Sequence, residues 1–429
     1  MRHGIVIYVG AWAETVSYAA IRTSTRDCKA APMTETFQGS FTQQEPIPDE
    51  GIEAAMRVLQ SGRLHRYNVG PDEQGETALL EQEFASQMGA KYCLAVASGG
   101  YALATSLRAL GVKPGDKVLT NAFTLAPVPG AIASVGAIPV FVGVTENLVI
   151  DLEDLRAKAA QADVLMLSHM RGHLCDMDLL MEICDATGLK VVEDCAHTMG
   201  AKWKETLSGR HGAMACYSTQ TYKHANSGEG GLLVSDDDEL MAKAIMLSGS
   251  YMLYERHLAR PPMEVFENVK YETPNISGRM DHLRAAILRP QLRDLDQQVA
   301  RWNERYRVIE DGLRDTPGLT VVARPEQETY VGSSIQFLLL DWDADKIDEV
   351  LQRCAARGVE LKWFGGAEPV AFTSRYDSWR YAPSEAMPET DRVLAGVIDM
   401  RIPLTFSVED CAFIASIIRA EVSAVWQEG

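Results

Sequence analysis

DVLMLSHMRGHLCDMDLLMEICDATGLKVVEDCAHTMG, residues 163–200, decides the fold. The runs VLMLS and LKVVED lack the polar alternation of a strand with one wet face, so each reads as a strand buried on both sides. Between them MDLLMEICDATG carries apolar residues at helical spacing and closes on Gly188, as an amphipathic helix does. Strand, helix and strand in that order make a crossover unit, the building block of a parallel sheet covered by helices.

The alternation continues on both sides. Upstream, KYCLAVA precedes a helical pattern over 100–110, KVLTNA one over 129–135, and PVFVGV one over 152–160. Downstream come AMACYST and GGLLVS. Two helices precede the series: DEGIEAAMRVLQSG (49–62), which starts with acids and ends in Gly, and residues 77–88. After it a long helix beginning near Leu292, the runs LTVVA and SSIQFLLLDW, and a terminal helix over 408–426 suggest a smaller α+β unit. The expected class is α/β, a mostly parallel sheet covered by helices. Its parts are an arm or leader over 1–45, a large domain over 46–295 and a small C-terminal domain over 296–429, the boundary lying in the long helix near 294–301.

Bulk properties agree with a soluble, folded chain. In 429 residues, 46% are hydrophobic and 23% charged, enough apolar content to exclude a mainly disordered chain. A net charge of -18 lacks the basic footprint of a nucleic-acid binder. Eight cysteines without CxxC pairs read as reduced, mostly buried thiols of a cytoplasmic protein. The apolar run Gly4–Ala13 ends at Glu14, short of the roughly 20 residues of a membrane helix. It reads as an appended leader, with Met33 an alternative start.

In open α/β sheets, ligands gather beyond the carboxyl ends of the strands. Three strand ends carry suitable residues. Ser98, Gly99 and Gly100 follow CLAVA and open a helix, a turn whose free N–H groups could face an anion, although small-residue turns of this kind are common without one. VVEDCAHTMG delivers Asp194 and His197; a carboxylate there either meets a cationic partner or caps a following helix, and both readings stand at this point. CYSTQTYKHANSGEGG places Ser218 five residues before Lys223, in a stretch with no other formal charge until Glu229. Enclosure of a lysine among uncharged neighbours disfavours its ammonium form and readies it as a nucleophile. There is no GxGxxG after the first strand and no GxxxxGK[ST], which disfavours dinucleotide and P-loop binding. His169, His173, Cys175, Cys195 and His197 fit no compact zinc spacing, so no metal is expected.

These motifs, with SGRL at Ser61, KPGDKVLTNAFT at Lys113, GAIPVFV at Gly136, SHMRGHLCDMD at Ser168 and GRMDHLRAAI at Gly278, resemble the DegT/DnrJ/EryC1/StrS family of sugar-type aminotransferases. That family lies within the fold type I pyridoxal-phosphate enzymes, and the resemblance runs from about Pro46 to the C-terminus. It implies that pyridoxal 5'-phosphate (alternating with pyridoxamine phosphate) is the cofactor and that Lys223 carries it as a Schiff base. It further implies that Asp194 pairs with the ring nitrogen, that His197 lies against the ring, and that Ser98, Gly99, Gly100, Ser218 and Ser277 hold the phosphate. Arg171, His173, His224 and Arg279 become candidate substrate contacts, Arg279 coming from the partner of a homodimer with shared active sites. The partners implied are an amino donor, glutamate or glutamine, and a keto-sugar or other small carbonyl acceptor.

The chain departs from the family pattern at several places. Gly100 stands where Thr is usual and Ser277 where Asn is usual. Leu125 replaces an aromatic that stacks on the ring, and Phe123 is the candidate replacement. Arg171 and His173 replace Tyr and Gln. Two other readings follow: a keto-sugar dehydratase-like enzyme, whose branch has His at the lysine position, and a catalytically silent regulatory protein on the same fold.

Overall fold

The computed structural model describes residues 35–371 and 373–428. The expected leader run Gly4–Ala13, Cys28 and Met33 lie outside the described residues. Helices form where spacing and punctuation require them. Asp49–Ser61 opens with Asp49 and Glu50 and stops at Gly62, whose φ of 68° is a left-handed cap. Met177–Thr187 is capped by the Asp176 side chain and stops at Gly188 in the same way.

The central sheet has seven strands in the spatial order Tyr92–Val96, Gly231–Ser235, Met214–Ser218, Lys190–Asp194, Val164–Ser168, Lys117–Asn121, Ile138–Val142. All neighbours pair in parallel except Gly231–Ser235, which runs against both of its own. Every residue of Val164–Ser168, Met214–Ser218 and Gly231–Ser235 is buried, as expected of strands covered on both faces. The register sets Ser168 beside Asp194 and Asp194 beside Cys216. Polar strand ends thus converge on one rim.

A second sheet is antiparallel, in the order Thr320–Val321, Ser334–Leu338, Val397–Arg401, Lys362–Trp363. The long helix expected from near Leu292 is Leu295–Leu313; a separate helix, His282–Arg293, ends just before it at Asp294. The long helix joins two cores: Leu295 packs beside Met199 and Leu288, while Tyr306, Ile309 and Leu313 pack with Ile335, Phe337 and Ile414 around the second sheet.

Part of the expected loose arm is packed. Phe37 and Phe41 sit edge-on to Phe406 with centroids 5.0 and 4.9 Å away, and Phe37 N donates to Arg357 O. Isolated aromatics bury well without any helical or strand period to announce them. Among the described residues no helix is long and apolar enough to cross a membrane, and the seven described cysteines are buried and unpaired.

Candidate active site

Beyond the carboxyl rim of the central sheet lies a cavity of about 410 Å³. One wall is the turn Ser98–Gly100. Ser98 caps the helix Gly99–Ala109, its Oγ accepting from Tyr101 N and its carbonyl from Ala102 N. The amides of Gly99 and Gly100 precede the first intrahelical bond and so remain donors for an anion. The turn is pressed against its neighbours: a Cβ at Gly99 would meet Ser218 Cβ at 2.9 Å, and one at Gly231 would meet Ser98 O at 2.5 Å. Ser218, at the end of its strand, completes this corner. Gly231→Ala should therefore push the Ser98 turn off position, at a cost of about 1–3 kcal/mol of stability and with weakened retention of a bound phosphate. Thermal unfolding with and without inorganic phosphate measures both.

Lys223 also lines the cavity. Its Nζ lies 2.7 Å from His197 Nε2, and His197 lines the same cavity. Burial, aided by the Arg171 charge and opposed by Asp194, brings Lys223 down to about 7, which favours its unprotonated amine relative to an exposed lysine. Burial and the Lys223 charge hold His197 well below the ordinary histidine range; its Nε2 can then accept from the amine.

Asp194 ends the strand Lys190–Asp194 and acts electrostatically on Lys223. Ser168 Oγ donates to its Oδ2 at 3.3 Å and Ala196 N to its Oδ1 at 3.1 Å. Ser168 in turn is fixed by Asn121, whose Oδ1 accepts Ser168 N, and by Thr124, whose hydroxyl bonds Ser168 Oγ at 2.7 Å. A turn, not a helix, follows Asp194, so the helix-cap reading falls. Burial raises its carboxyl above the usual aspartate value, with Lys223 opposing, and a second cation would further stabilise the carboxylate. In all, the residues offer amide and hydroxyl donors for an anion, a neutral amine for an aldehyde, and a carboxylate for a protonated ring nitrogen.

Arg171 also lines the cavity, buried, with φ of 54° and its Nη2 2.9 Å from Asp399 Oδ2. Other candidates fall elsewhere. Phe123 is 1% exposed and sits edge-on to Phe364 in the core, so it does not replace the missing aromatic; Leu125 faces the cavity instead. His173 bonds Gln336 Oε1 at 2.7 Å and lines a different cavity beside Arg324. His224 points away from the Lys223 side, to Ser333 Oγ at 3.0 Å and the face of Trp302. Ser277 is exposed and takes a bond from Arg279, which stacks on Tyr251 and donates to Gly249 O; neither lines this chain's cavity.

His169, Glu193 and Cys195 come within 4.8 Å of one another, a grouping the spacing did not suggest. The Glu193 carboxylate already accepts from His169 Nε2 and from the backbone amides of Gly209, His211 and Gly212. Those four donors account for it as a structural charge.

Sequence reasoning missed Arg401 and Lys362, two cations on the cavity wall supplied by the second sheet, and Tyr222 and Trp379, which give it aromatic surface. A basic residue closing an apolar run, as in VIDMR, was the available signal for Arg401.

A sequence profile described as the DegT/DnrJ/EryC1/StrS aminotransferase family matches residues 47–419. The chain is 31% identical to dTDP-3-amino-3,4,6-trideoxy-alpha-D-glucose transaminase of Streptomyces venezuelae, over 74% of this chain and 78% of that one. It is 33% identical to 3-amino-5-hydroxybenzoate synthase of Amycolatopsis mediterranei, over 59% and 63%. The crystal structure of a 3-amino-5-hydroxybenzoic acid synthase superposes with a TM-score of 0.77 at 24% identity, covering 91% of this chain and all of that one.

Proposed function

Because the chain belongs to the DegT/DnrJ/EryC1/StrS aminotransferase family, we propose that its cavity carries out amino transfer with Lys223, Asp194, His197, Ser98, Gly99, Gly100 and Ser218 as the cofactor-holding residues. The chain is a pyridoxal-phosphate aminotransferase. The observation that carries the assignment of residues is a lysine of lowered basicity and an anion-ready helix start lining one cavity, with the Asp194 carboxylate acting electrostatically on that lysine. The cofactor supplies an aldehyde and an electron-withdrawing ring that eases proton movement at the carbon bearing the amino group.

The chain's own residues do the rest. Lys223 Nζ would hold the cofactor's aldehyde between turnovers and, when free, the same nitrogen would carry the proton that leaves the substrate carbon. His197, neutral and 2.7 Å away, accepts from that nitrogen and keeps it aimed at the cavity. Asp194, held by Ser168 and Ala196, balances a positive charge on the ring nitrogen. The amides of Gly99 and Gly100 with the hydroxyls of Ser98 and Ser218 bind the phosphate. Glutamate or glutamine is the donor, and a keto-sugar or another small carbonyl compound the acceptor. Stopped-flow spectroscopy tests this: glutamate or glutamine should bleach the visible band and a carbonyl acceptor restore it. A band indifferent to every donor contradicts the reading.

Transfer is favoured over dehydration because the lysine position is occupied by Lys223, with His224 turned away to Ser333. The buried, unpaired thiols suit a reducing compartment, the cytoplasm. The working form is a homodimer. Ile52, Met56 and Leu59 lie along one face of the helix Asp49–Ser61, 47–51% exposed, an apolar stripe that a second copy would cover. Ser277 of such a copy would then complete the phosphate corner, and its Arg279 would reach the substrate. Met56→Asp should weaken association at least about 100-fold, since a two-fold interface meets the change twice. Sedimentation shows it as a monomer; a dimer unchanged at micromolar concentration argues against this face.

A further inference from the structure

Resting on the aminotransferase reading, we propose that Trp379 sets acceptor specificity. With Leu125 and Pro127 it forms an apolar wall for a hydrocarbon edge of the acceptor, which is therefore a small ring ketone carrying few hydroxyls. The wall has two sources. Leu125, Ala126 and Pro127 follow the strand Lys117–Asn121 and lead into the helix Pro127–Ser134, and all three line the cavity. Trp379 and Ala371 come from the connection between the strand Lys362–Trp363 and the helix Pro388–Ala395, and line the same cavity. Leu125 and Trp379, both half-buried, pack against one core cluster that holds Phe123, Phe364 and Tyr376. Leu125 leaves the wall apolar without an aromatic, and the indole arrives from a distant segment instead.

Trp379 is held in place from several sides. Tyr376 sets its ring edge-on to Phe141 at 5.3 Å and donates to Asp391 Oδ1 at 2.8 Å, while Arg375 pairs with Asp377 at 2.8 Å. The Trp379 carbonyl accepts from Ala382 N at 3.1 Å, and the Tyr381 ring lies 17° from the indole plane with centroids 6.0 Å apart. Tyr381 Oη in turn lies 3.9 Å from where a Cβ on Gly130 would stand, so the connection meets the same helix that Pro127 opens. An indole fixed in this way presents apolar area to a ligand with little further ordering cost.

The chemistry of the wall decides what it accepts. The side chains of Leu125, Ala126, Pro127 and Ala371 have no hydrogen-bonding atom, Pro127 lacks an amide N–H, and the Thr373 hydroxyl is already spent on Val370 O at 2.8 Å. Hydroxyls pressed onto such a surface lose water without gaining a partner, whereas methylenes gain by leaving water. Gln220, Lys223 and Glu229, polar groups of the same cavity, come from a different segment, the one after Met214–Ser218. An acceptor that turns its carbonyl to Lys223 and its carbon edge to Trp379 satisfies both. At about 410 Å³, shared with the cofactor, the cavity suits one small ring.

The test uses purified holoenzyme. After bleaching with glutamate or glutamine, return of the visible band is compared for cyclohexanone and its pentahydroxy derivative, ketones that differ only in ring hydroxyls. Cyclohexanone should be at least about tenfold better in kcat/KM; Trp379→Ala should remove most of that advantage, chiefly through KM, and Trp379→Phe should restore it. Calorimetry with cyclohexanol and inositol reads binding without turnover. Cyclohexanol should bind tighter, with a negative heat-capacity change, and Trp379→Ala should shrink both. Leu125→Asn, on the other part of the wall, serves where Trp379→Ala does not fold. Equal or faster return with the hydroxylated ketone, or a preference that survives Trp379→Ala, overturns the wall. Failure of any donor to bleach the band tells instead against the aminotransferase assignment.

Discussion

Replacing Lys223 by alanine is expected to abolish the visible absorbance of the lysine-held cofactor and to cut turnover by at least about 10³-fold, the combined loss of an anchor and a proton carrier. The fold should persist. Lys223 is partly buried and its nitrogen's hydrogen-bond partner is His197, which is neutral and pays little for losing a neighbour whose charge works against it. Absorbance of the purified variant, with its melting temperature as control, gives the result. A wild-type spectrum or rate would remove Lys223 from its central place.

Asp194→Asn should be nearly as severe for a different reason. Asparagine keeps an oxygen for Ser168 or Ala196 and so preserves the shape of the strand end, but it removes the charge that balances a protonated ring. Breaking a buried ion pair costs about 3–5 kcal/mol. Spent on the step that moves the proton, this corresponds to a fall of about 10²–10⁴ in kcat. Melting within a few degrees of wild type, together with that fall, separates an electrostatic role from a structural one; a variant with near-wild-type kcat contradicts it.

How far the sequence reveals this site depends on the local order of the backbone. Asp194 and Ser98 stand at or just past the ends of their strands, and there position in the chain translates directly into position on the rim, whereas Lys223, five residues past Ser218, is marked instead by its uncharged surroundings. Phe123 and Leu125 do not follow this logic: the strand stops at Asn121, the pleat stops with it, and spacing no longer says which side chain faces inward. His173 and His224 flank the site in sequence yet point to Gln336 and Ser333, because adjacent residues on a turn diverge. Arg401 and Lys362 reach the cavity through the pairing of a short strand over 160 residues beyond Asp194, and no local pattern encodes that contact. The overall α/β alternation was legible because each helix and strand must bury its own apolar face. The packing of Phe37 and Phe41 against Phe406 was not, for it depends on three aromatics meeting from distant segments.

The most direct measurement of the central claim is borohydride reduction of the holoenzyme followed by digestion and mass spectrometry of the labelled peptide. The phosphopyridoxyl mass should fall on the peptide containing Lys223, and pretreatment with an amino donor should prevent the labelling. A label on Lys362 or any other lysine, or no label on a protein that retains its cofactor band, would contradict the assignment.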